Sequence, residues 1–294
     1  MSEPFQWRYV IGIVGGMGPL AHIEFERQLL VATRKRLGRS PTDQDFPEWI
    51  ASSIPETPDR TKALLGEGPS PVPWLERSVR RLCDKGQEGG ADFAVITCNT
   101  AHAFLEEVRG RACVPLVDMI EETVRAARSQ LGRGGAIGIL GTSGTLRSGI
   151  YAHAAERVGG IRTLSLLDVR DGKRDGEALQ EELVMAPIYG GKSGGKRVPG
   201  GIKSGLLRED EEDTRKAKAE AAEPLREAVR LLADAGADLC VLACTEIPLA
   251  TGRDPVEGTP LLDPVVVTAE ASIAIAAGDR ALPGEQAAPE RRAA

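Results

Sequence analysis

The chain has 294 residues, 41% of them apolar, 27% charged and 4% aromatic, with a formal net charge of −6. That length suits two compact domains, and the mixed charges describe a soluble globular protein. The acidic balance without a basic stripe and the shortage of rings for base stacking argue against nucleic acid as a partner, and no apolar run reaches the roughly 18 residues that would span a bilayer.

The opening "MSEPFQWRYV" has no basic flank and no apolar signal core, so a cytoplasmic location is expected. "YVIGIVGG" (9–16) reads as a buried parallel strand ending in glycines. A helix follows over 20–37, with Ile23, Leu29, Leu30 and Leu37 at helical spacing. "EWIASSI" (48–54) is a second strand, 73–88 a second helix, "DFAVIT" (92–97) a third strand and "VPLVD" (114–118) a fourth. Strands alternating with helices predict an α/β fold with a parallel sheet covered on both faces.

The pattern then starts again. "GGAIGILGTSGT" (134–145) echoes "RYVIGIVGGMGP" (8–19), "ADLCVLACTE" echoes "ADFAVITCNT", and "PLLDPVVVTAEASIA" (260–274) echoes "PLVDMIEETVRAA" (115–127). Cys98 lies 20 residues before Asp118, and Cys244 lies 19 before Asp263. Generic resemblance among parallel strands explains the apolar runs but not these matched positions. Two pseudo-symmetric parallel-sheet lobes are therefore predicted: 8–117 plus 264–282, and 118–263. Between its glycine strand and its cysteine the second half is 20 residues longer, and "YGGKSGGKRVPGGIKSG" (189–205) accounts for the surplus. Its Gly and Lys content predicts a flexible lid without regular structure. A charged run over 209–220 opens a helix reaching about 233, and 283–294 read as a disordered tail.

Both matched cysteines sit at C-terminal strand ends, where ligands bind in parallel sheets. Each precedes residues able to open a helix, Asn99 and Thr100 after Cys98, Thr245 and Glu246 after Cys244, and a helix N-terminus lowers a thiol pKa and holds a carboxylate. Lobes facing about a pseudo-twofold axis would aim the two sulfurs at opposite sides of one ligand-sized gap. One thiolate removes the proton next to a carboxylate, the opposite thiol returns one to the other face, and the stereocentre inverts. The remaining cysteines, Cys83, Cys113 and Cys240, are expected to be free thiols buried as small hydrophobes. No CxxC pair or histidine cluster predicts a metal.

At these residues the chain resembles the aspartate/glutamate racemase superfamily, and most closely its cofactor-independent aspartate racemase branch. The matching pieces are "GIVGGMGPLA" (12–21), "PETPDRT" (55–61), "CNTAH" (98–102), "GTSGT" (141–145) and "CTEIPL" (244–249), spread over 9–277. The resemblance implies two α/β lobes with the site between them, a homodimer, a small amino-acid substrate and no cofactor. It implies that Cys98 and Cys244 are the acid/base pair, that Asn99, Thr100 and Thr245 hold the α-carboxylate, and that Arg60 grips the side-chain carboxylate. Met17 lies in the site-lining glycine loop, Thr142 matches a threonine near the substrate, and Glu246 distinguishes this branch from glutamate racemases. One departure stands out. The family's Ile-Tyr-x-x-Ile-Lys loop is stretched here, with twelve residues between Ile188-Tyr189 and Ile202-Lys203. Lys203 is the motif match, Lys192 is an alternative, and the longer lid keeps open another acidic or larger substrate, or slower opening.

Two rival readings come from other classes. "GMGPLA" formally satisfies a dinucleotide-binding Gly-x-Gly-x-x-Ala, but the second strand ends in "SSIP" without an acid for a ribose. A two-lobed binding protein fits the duplication but gives no reason for matched thiols. His102, four residues past Cys98, reads as packing behind the site, ahead of a general-base role. Asp118 and Asp263 read as helix caps. His22 and His153 receive no role.

Overall fold

The structure, a computed structural model, describes residues 3–83, 89–194, 196–198, 200–205 and 211–285. Four strands, β1 (Ile11–Gly15), β2 (Trp49–Ser53), β3 (Phe93–Ile96) and β4 (Leu116–Val117), form a parallel sheet in the order β2-β1-β3-β4. A second parallel sheet combines β5 (Gly135–Gly141), β6 (Ile161–Leu164), β9 (Leu239–Ala243) and β10 (Leu261–Leu262) in the order β6-β5-β9-β10, the same topology repeated. A small antiparallel hairpin, β7 (Lys192–Ser193) and β8 (Lys196–Arg197), stands apart.

The duplication extends to register. Gly12 pairs with Ala94 and Gly138 with Cys240, each partner four residues before a matched thiol. A Cβ on Gly12 would meet Leu82, Ala91 and Ala94 at 2.9–3.0 Å, and one on Gly138 would meet Leu232, Ala237 and Cys240 at 2.9–3.2 Å. These are the corresponding neighbours, so each glycine lets a helix and a strand close over it. Cys240 is the counterpart of Ala94 and is buried as a small hydrophobe, as expected. Asp92 and Asp238 also match. Their carboxylates accept from Val10 N (2.8 Å) and Ala136 N (2.9 Å), tying each third strand to the segment beside it.

In the first half the helices are α1 (Pro19–Leu37), α2 (Arg60–Leu64), α3 (Val72–Leu82), α4 (Leu105–Arg109) and α5 (Met119–Leu131). The second half adds α6 (Ser143–Arg147), α7 (Ile150–Val158), α8 (Gly176–Gln180), α9 (Ala186–Tyr189), α10 (Gly201–Gly205), α11 (Glu211–Asp234), α12 (Ile247–Thr251) and α13 (Pro264–Ala276). Asp118 caps α5 by accepting from Ile120 N and Glu121 N, and Asp263 caps α13 through Val265 N, as the sequence predicts. The two capped helices are exchanged. Ile120, Val124 and Ala127 of α5 pack on Ile137, Ile139 and Val241 of the second sheet, while Val265, Ala269 and Ile273 of α13 pack on Ile11, Ile13 and Val95 of the first. No helix among the described residues is long and apolar enough to cross a membrane.

Three expectations need correction. On α1 the buried stripe is Ala21, Phe25, Leu29 and Ala32, facing the sheet and α13, whereas Ile23 and Leu30 are exposed. Cys83 and Cys113 are neither free nor fully buried. Cys83 ends α3 and Cys113 lies just before β4, which brings their Cα atoms within 6.1 Å, a normal disulfide span, and they are joined. The segment 189–205 is not structureless, because left-handed Gly190 and Gly201 fold it into the hairpin and α10, and Ile202 is fully buried in the core under α11. Of the tail, 283–285 form a turn and 286–294 lie outside the described residues, as does the 84–88 end of the expected second helix.

Candidate active site

Cys98 follows β3 and Cys244 follows β9, and both line one cleft between the lobes. Met17, Arg60, Thr61, Asn99, Thr100, Thr142, Tyr189, Lys203, Thr245 and Glu246 complete its walls. Every predicted site residue is thus brought together. Thr61 and Tyr189 join them without having been singled out as contacts, although both lie inside the quoted motifs.

Asn99 is held from the opposite lobe. Tyr151 of α7 donates its hydroxyl hydrogen to Asn99 Oδ1 at 2.6 Å, which fixes the amide and turns Nδ2 away. Nδ2 is buried and has no partner among the described residues. Arg60 opens α2, capped by Asp59, whose side chain accepts from Lys62 N at 2.9 Å. Its Nη1 donates to Pro58 O (2.9 Å) and Thr57 O (3.3 Å), and Nη2 donates to Met17 O (3.0 Å). Its Nε is buried and unpartnered among the described residues. Three bonds to backbone carbonyls therefore fix the guanidinium, which also meets Cys98. A buried donor without a partner costs about 1–3 kcal/mol, and both of these belong to residues that line the cleft.

Thr100 from one lobe meets Thr142 (3.1 Å) and Thr145 (2.8 Å) from the other, and the latter two lie 3.1 Å apart. This buried ring of three hydroxyls is a contact between the lobes. Behind Cys98, His102 has its Nδ1 2.9 Å from Cys98 O while Met119 N donates to its Nε2. The second bond makes Nε2 an acceptor, so Nδ1 carries the hydrogen. Burial lowers the His102 pKa although Asp118 opposes it, which suits a neutral ring that ties Cys98 to the start of α5. His22 takes the Gly16 N–H on Nδ1 at 3.4 Å and supports the glycine turn.

The longer spacing does not displace Lys203. Gly200 N donates to Tyr189 O (3.2 Å) and Val198 N to Gly191 O (2.8 Å), closing the hairpin at its base. Lys203 Nζ lies 5.5 Å over the Tyr189 ring and pairs with Glu246. Lys192 points elsewhere, to Glu181 at 3.0 Å, so the alternative to Lys203 is set aside.

The surroundings of Cys244 differ from the expectation of an acidified thiol. Its Sγ donates to Glu246 Oε2 at 3.1 Å, and Thr245 Oγ1 donates to the same oxygen at 3.0 Å. Burial pushes the Cys244 pKa well up, Glu246 adds to this, and Lys203 opposes it. The helix that follows has only five residues, too short to outweigh that burial. Burial alone would raise Glu246, but Lys203 holds its carboxylate below the usual range. Burial likewise works against the Lys203 ammonium, and Glu246 outweighs it, so the Lys203 pKa is raised.

The expected ligand-sized gap is drawn shut. The space between the walls, open solvent included, is about 280 Å³, and hardly any of it admits a water molecule. The Lys203–Glu246 pair lies in this wall, and the threonine ring joins the two lobes beside it.

Residues 14–188 match the family described as Asp/Glu/Hydantoin racemase. The chain belongs to this family. It is 30% identical over 142 residues to a broad specificity amino-acid racemase of Bacillus subtilis (strain 168), covering 48% of this chain and 58% of that one. It is 41% identical over 105 residues to a glutamate racemase of Corynebacterium glutamicum, covering 33% and 38%. The matches thus span about half the length of these curated relatives or less. Among solved structures, Picrophilus torridus aspartate racemase superposes with a TM-score of 0.66 at 24% identity, covering 92% of this chain and 95% of that one. An aspartate racemase homologue from Pyrococcus horikoshii OT3 gives 0.61 at 20% identity, covering 92% and 99%. At these identities the likeness speaks for the fold, and the two-lobed α/β architecture of the family is the one described above.

Proposed function

We propose that the protein is a cofactor-independent amino-acid racemase that acts on aspartate by a two-base thiol mechanism. The observation that carries this reading is the equivalent placement of Cys98 and Cys244 at matching strand ends, lining one cleft. In the forward step one sulfur, as thiolate, takes the α-proton. The Cα–H bond breaks, an S–H bond forms, and charge builds on the α-carbon and its carboxylate. The other thiol then gives its proton to the opposite face. The α-hydrogen is a very weak acid, so the site must stabilise the carbanion and exclude water. Asn99 Nδ2, with Thr100 and Thr245, suits the α-carboxylate. Arg60 and Lys203 supply two positive charges for the side-chain carboxylate, against one negative charge on Glu246. Met17 and Thr142 complete the walls.

The dinucleotide reading fares worse. A Cβ on Gly18 would lie 3.6 Å from Glu246 Oε1, so a pyrophosphate on that glycine turn would face a carboxylate. Homodimer formation and a cytoplasmic location belong to the proposal. In a reducing compartment Cys83 and Cys113 would be held as two thiols.

The test is chiral chromatography of each common L-amino acid after incubation with the protein and no added cofactor. Aspartate should approach an equal mixture of enantiomers. If no amino acid loses optical purity, the reading fails. If glutamate or a larger acidic amino acid is turned over and aspartate is not, the substrate assignment fails alone.

A further inference from the structure

Tyr189 and Lys203 both line the cleft, and the hairpin of β7 and β8 is strung between them. Freedom in the hairpin would be passed to these two residues of the cleft wall. At its base there is little. A Cβ on Gly190 would lie 2.1 Å from Val198 O, and one on Gly201 would lie 2.3 Å from Pro187 O, so the backbone stretches that cross there are in contact. Beyond the base the fixing is done by one side chain. Arg197 of β8 turns back, and its Nη1 donates to Gly190 O at 2.7 Å. Nη1 and Nη2 also grip the two oxygens of Glu181 at 2.7 and 2.9 Å, and Cζ lies 6.0 Å over the Tyr189 ring. Lys192 of β7 meets the same carboxylate at 3.0 Å. Burial works to raise the Glu181 pKa, and Arg197 and Lys192 outweigh it, so the carboxylate stays charged. Glu181 opens the turn between α8 and α9, in which Leu183 and Val184 are buried in the core. Its neighbour Gln180 donates from Nε2 to Gly141 O at 2.8 Å. The anchor of the hairpin thus belongs to the body of the second lobe.

We propose that Arg197 is a positioning residue that braces Tyr189 and Lys203 in the cleft wall by clamping the hairpin to Glu181. This rests on the racemase reading only in taking Lys203 as a contact for the distal carboxylate of a ligand.

An ion pair at the surface is worth little by itself. Arg197 differs because its planar fork spans a carboxylate and a carbonyl at once and lies over a ring, which fixes direction as well as charge. Without that clamp the connection from Tyr189 to Lys203 would be a long loop held only at its base. Both side chains would then have to be ordered each time a ligand bound. The longer spacing therefore carries its own brace, and the hairpin is part of the wall. The loss expected on breaking the clamp is one of binding, because the same wall meets the ligand before and during any reaction. KM for an acidic amino acid should rise while kcat is kept.

The test is calorimetric titration with succinate, a dicarboxylate without an amino group that cannot be racemised. The unmodified protein is compared with Arg197→Gln and Glu181→Gln, which break the clamp from either end. Each should bind succinate about tenfold more weakly, the cost of ordering two side chains anew. The two substitutions change the local charge in opposite senses. A plain charge effect on an anionic ligand would weaken binding in Arg197→Gln and tighten it in Glu181→Gln, and that result would overturn the proposal. Unchanged affinity in both variants, with or without a lower Tm, would overturn it too, as would an unmodified protein that does not bind succinate. Should Arg197→Gln fold poorly, Glu181→Gln decides alone, since charge by itself would tighten binding there. The expected succinate pattern with no racemisation of any amino acid would sink the proposed function and leave this inference standing. Racemisation with unchanged succinate affinity in both variants would do the reverse.

Discussion

Tyr151 and Asn99 meet across the two lobes, the phenol hydrogen bonded to Asn99 Oδ1 at 2.6 Å. The bond occupies Oδ1 and leaves Nδ2 as the amide's unpartnered group among the described residues. Tyr151→Phe removes it and leaves a buried acceptor unpaired, which costs about 1–3 kcal/mol. If Asn99 Nδ2 receives the α-carboxylate, kcat/KM for aspartate should fall about 5- to 160-fold, since each 1.36 kcal/mol is a decade. Steady-state kinetics beside a thermal melt checks this, and a drop in Tm with unchanged kcat/KM would mean that the contact only holds the lobes together.

Arg60→Leu should abolish turnover of acidic amino acids far more than it weakens binding of a neutral analogue. The lost charge pairing is on the order of 2–5 kcal/mol, or a few decades in rate. Equal losses for both ligands would show that the anchoring of Met17 and Pro58, not carboxylate recognition, is what Arg60 contributes.

The repeat was legible in the sequence because matched residues do the same physical job in both halves. Asp118 and Asp263 cap equivalent helices, and Gly12 and Gly138 each admit the same trio of neighbours. Cys98 could be named for the same reason, whereas Arg60 and Lys203 could be named only through the likeness of their segments to the racemase motifs. What stayed hidden depends on long-range approach. Nothing local marks Tyr151 as the partner of a residue 52 positions away, or Cys83 as that of Cys113 across 30. The fate of the inserted segment was obscured by its glycines, which read as flexibility but serve as left-handed turns at Gly190 and Gly201. The pKa of Cys244 was misjudged because a helix start is visible in sequence and the bond to Glu246 is not.

The register match also predicts stability. Gly12→Ala and Gly138→Ala each drive a methyl into a closed helix–strand contact and should cost about 1–3 kcal/mol, in similar amounts. Denaturant unfolding of the two variants measures this, and a neutral result for either would break the equivalence of the halves.

The cysteine assignment predicts a thiol count. The chain has five cysteines, of which Cys98, Cys240 and Cys244 are free. Protein oxidised in air and then unfolded without reductant should titrate three thiols, and five after reduction. Five in both cases would remove the Cys83–Cys113 bond.

Acid sensitivity should trace to Glu24. Burial works to raise its pKa, but Arg27, Gln28 and Arg253 outweigh it and hold the carboxyl near about 2, against 4.5 for the ordinary group. A folded pKa below the unfolded one contributes stability above about pH 4.5 and loses it as pH falls towards 2. Arg253 also grips Asp263, so this cluster ties α1 to the cap of α13. Glu24→Gln should lower Tm at pH 7 and flatten the loss of Tm between these two pH values. An unchanged acid slope would locate the sensitivity elsewhere.

The most direct measurement of the two-thiol account is solvent deuterium entering the α-position of L- and D-aspartate, with Cys98→Ser and Cys244→Ser compared against the unmodified protein. The account predicts that neither variant racemises, and that any exchange left in one variant is confined to one enantiomer and in the other variant to its mirror image. Full racemisation with either sulfur gone, or exchange of the same enantiomer by both variants, would contradict it.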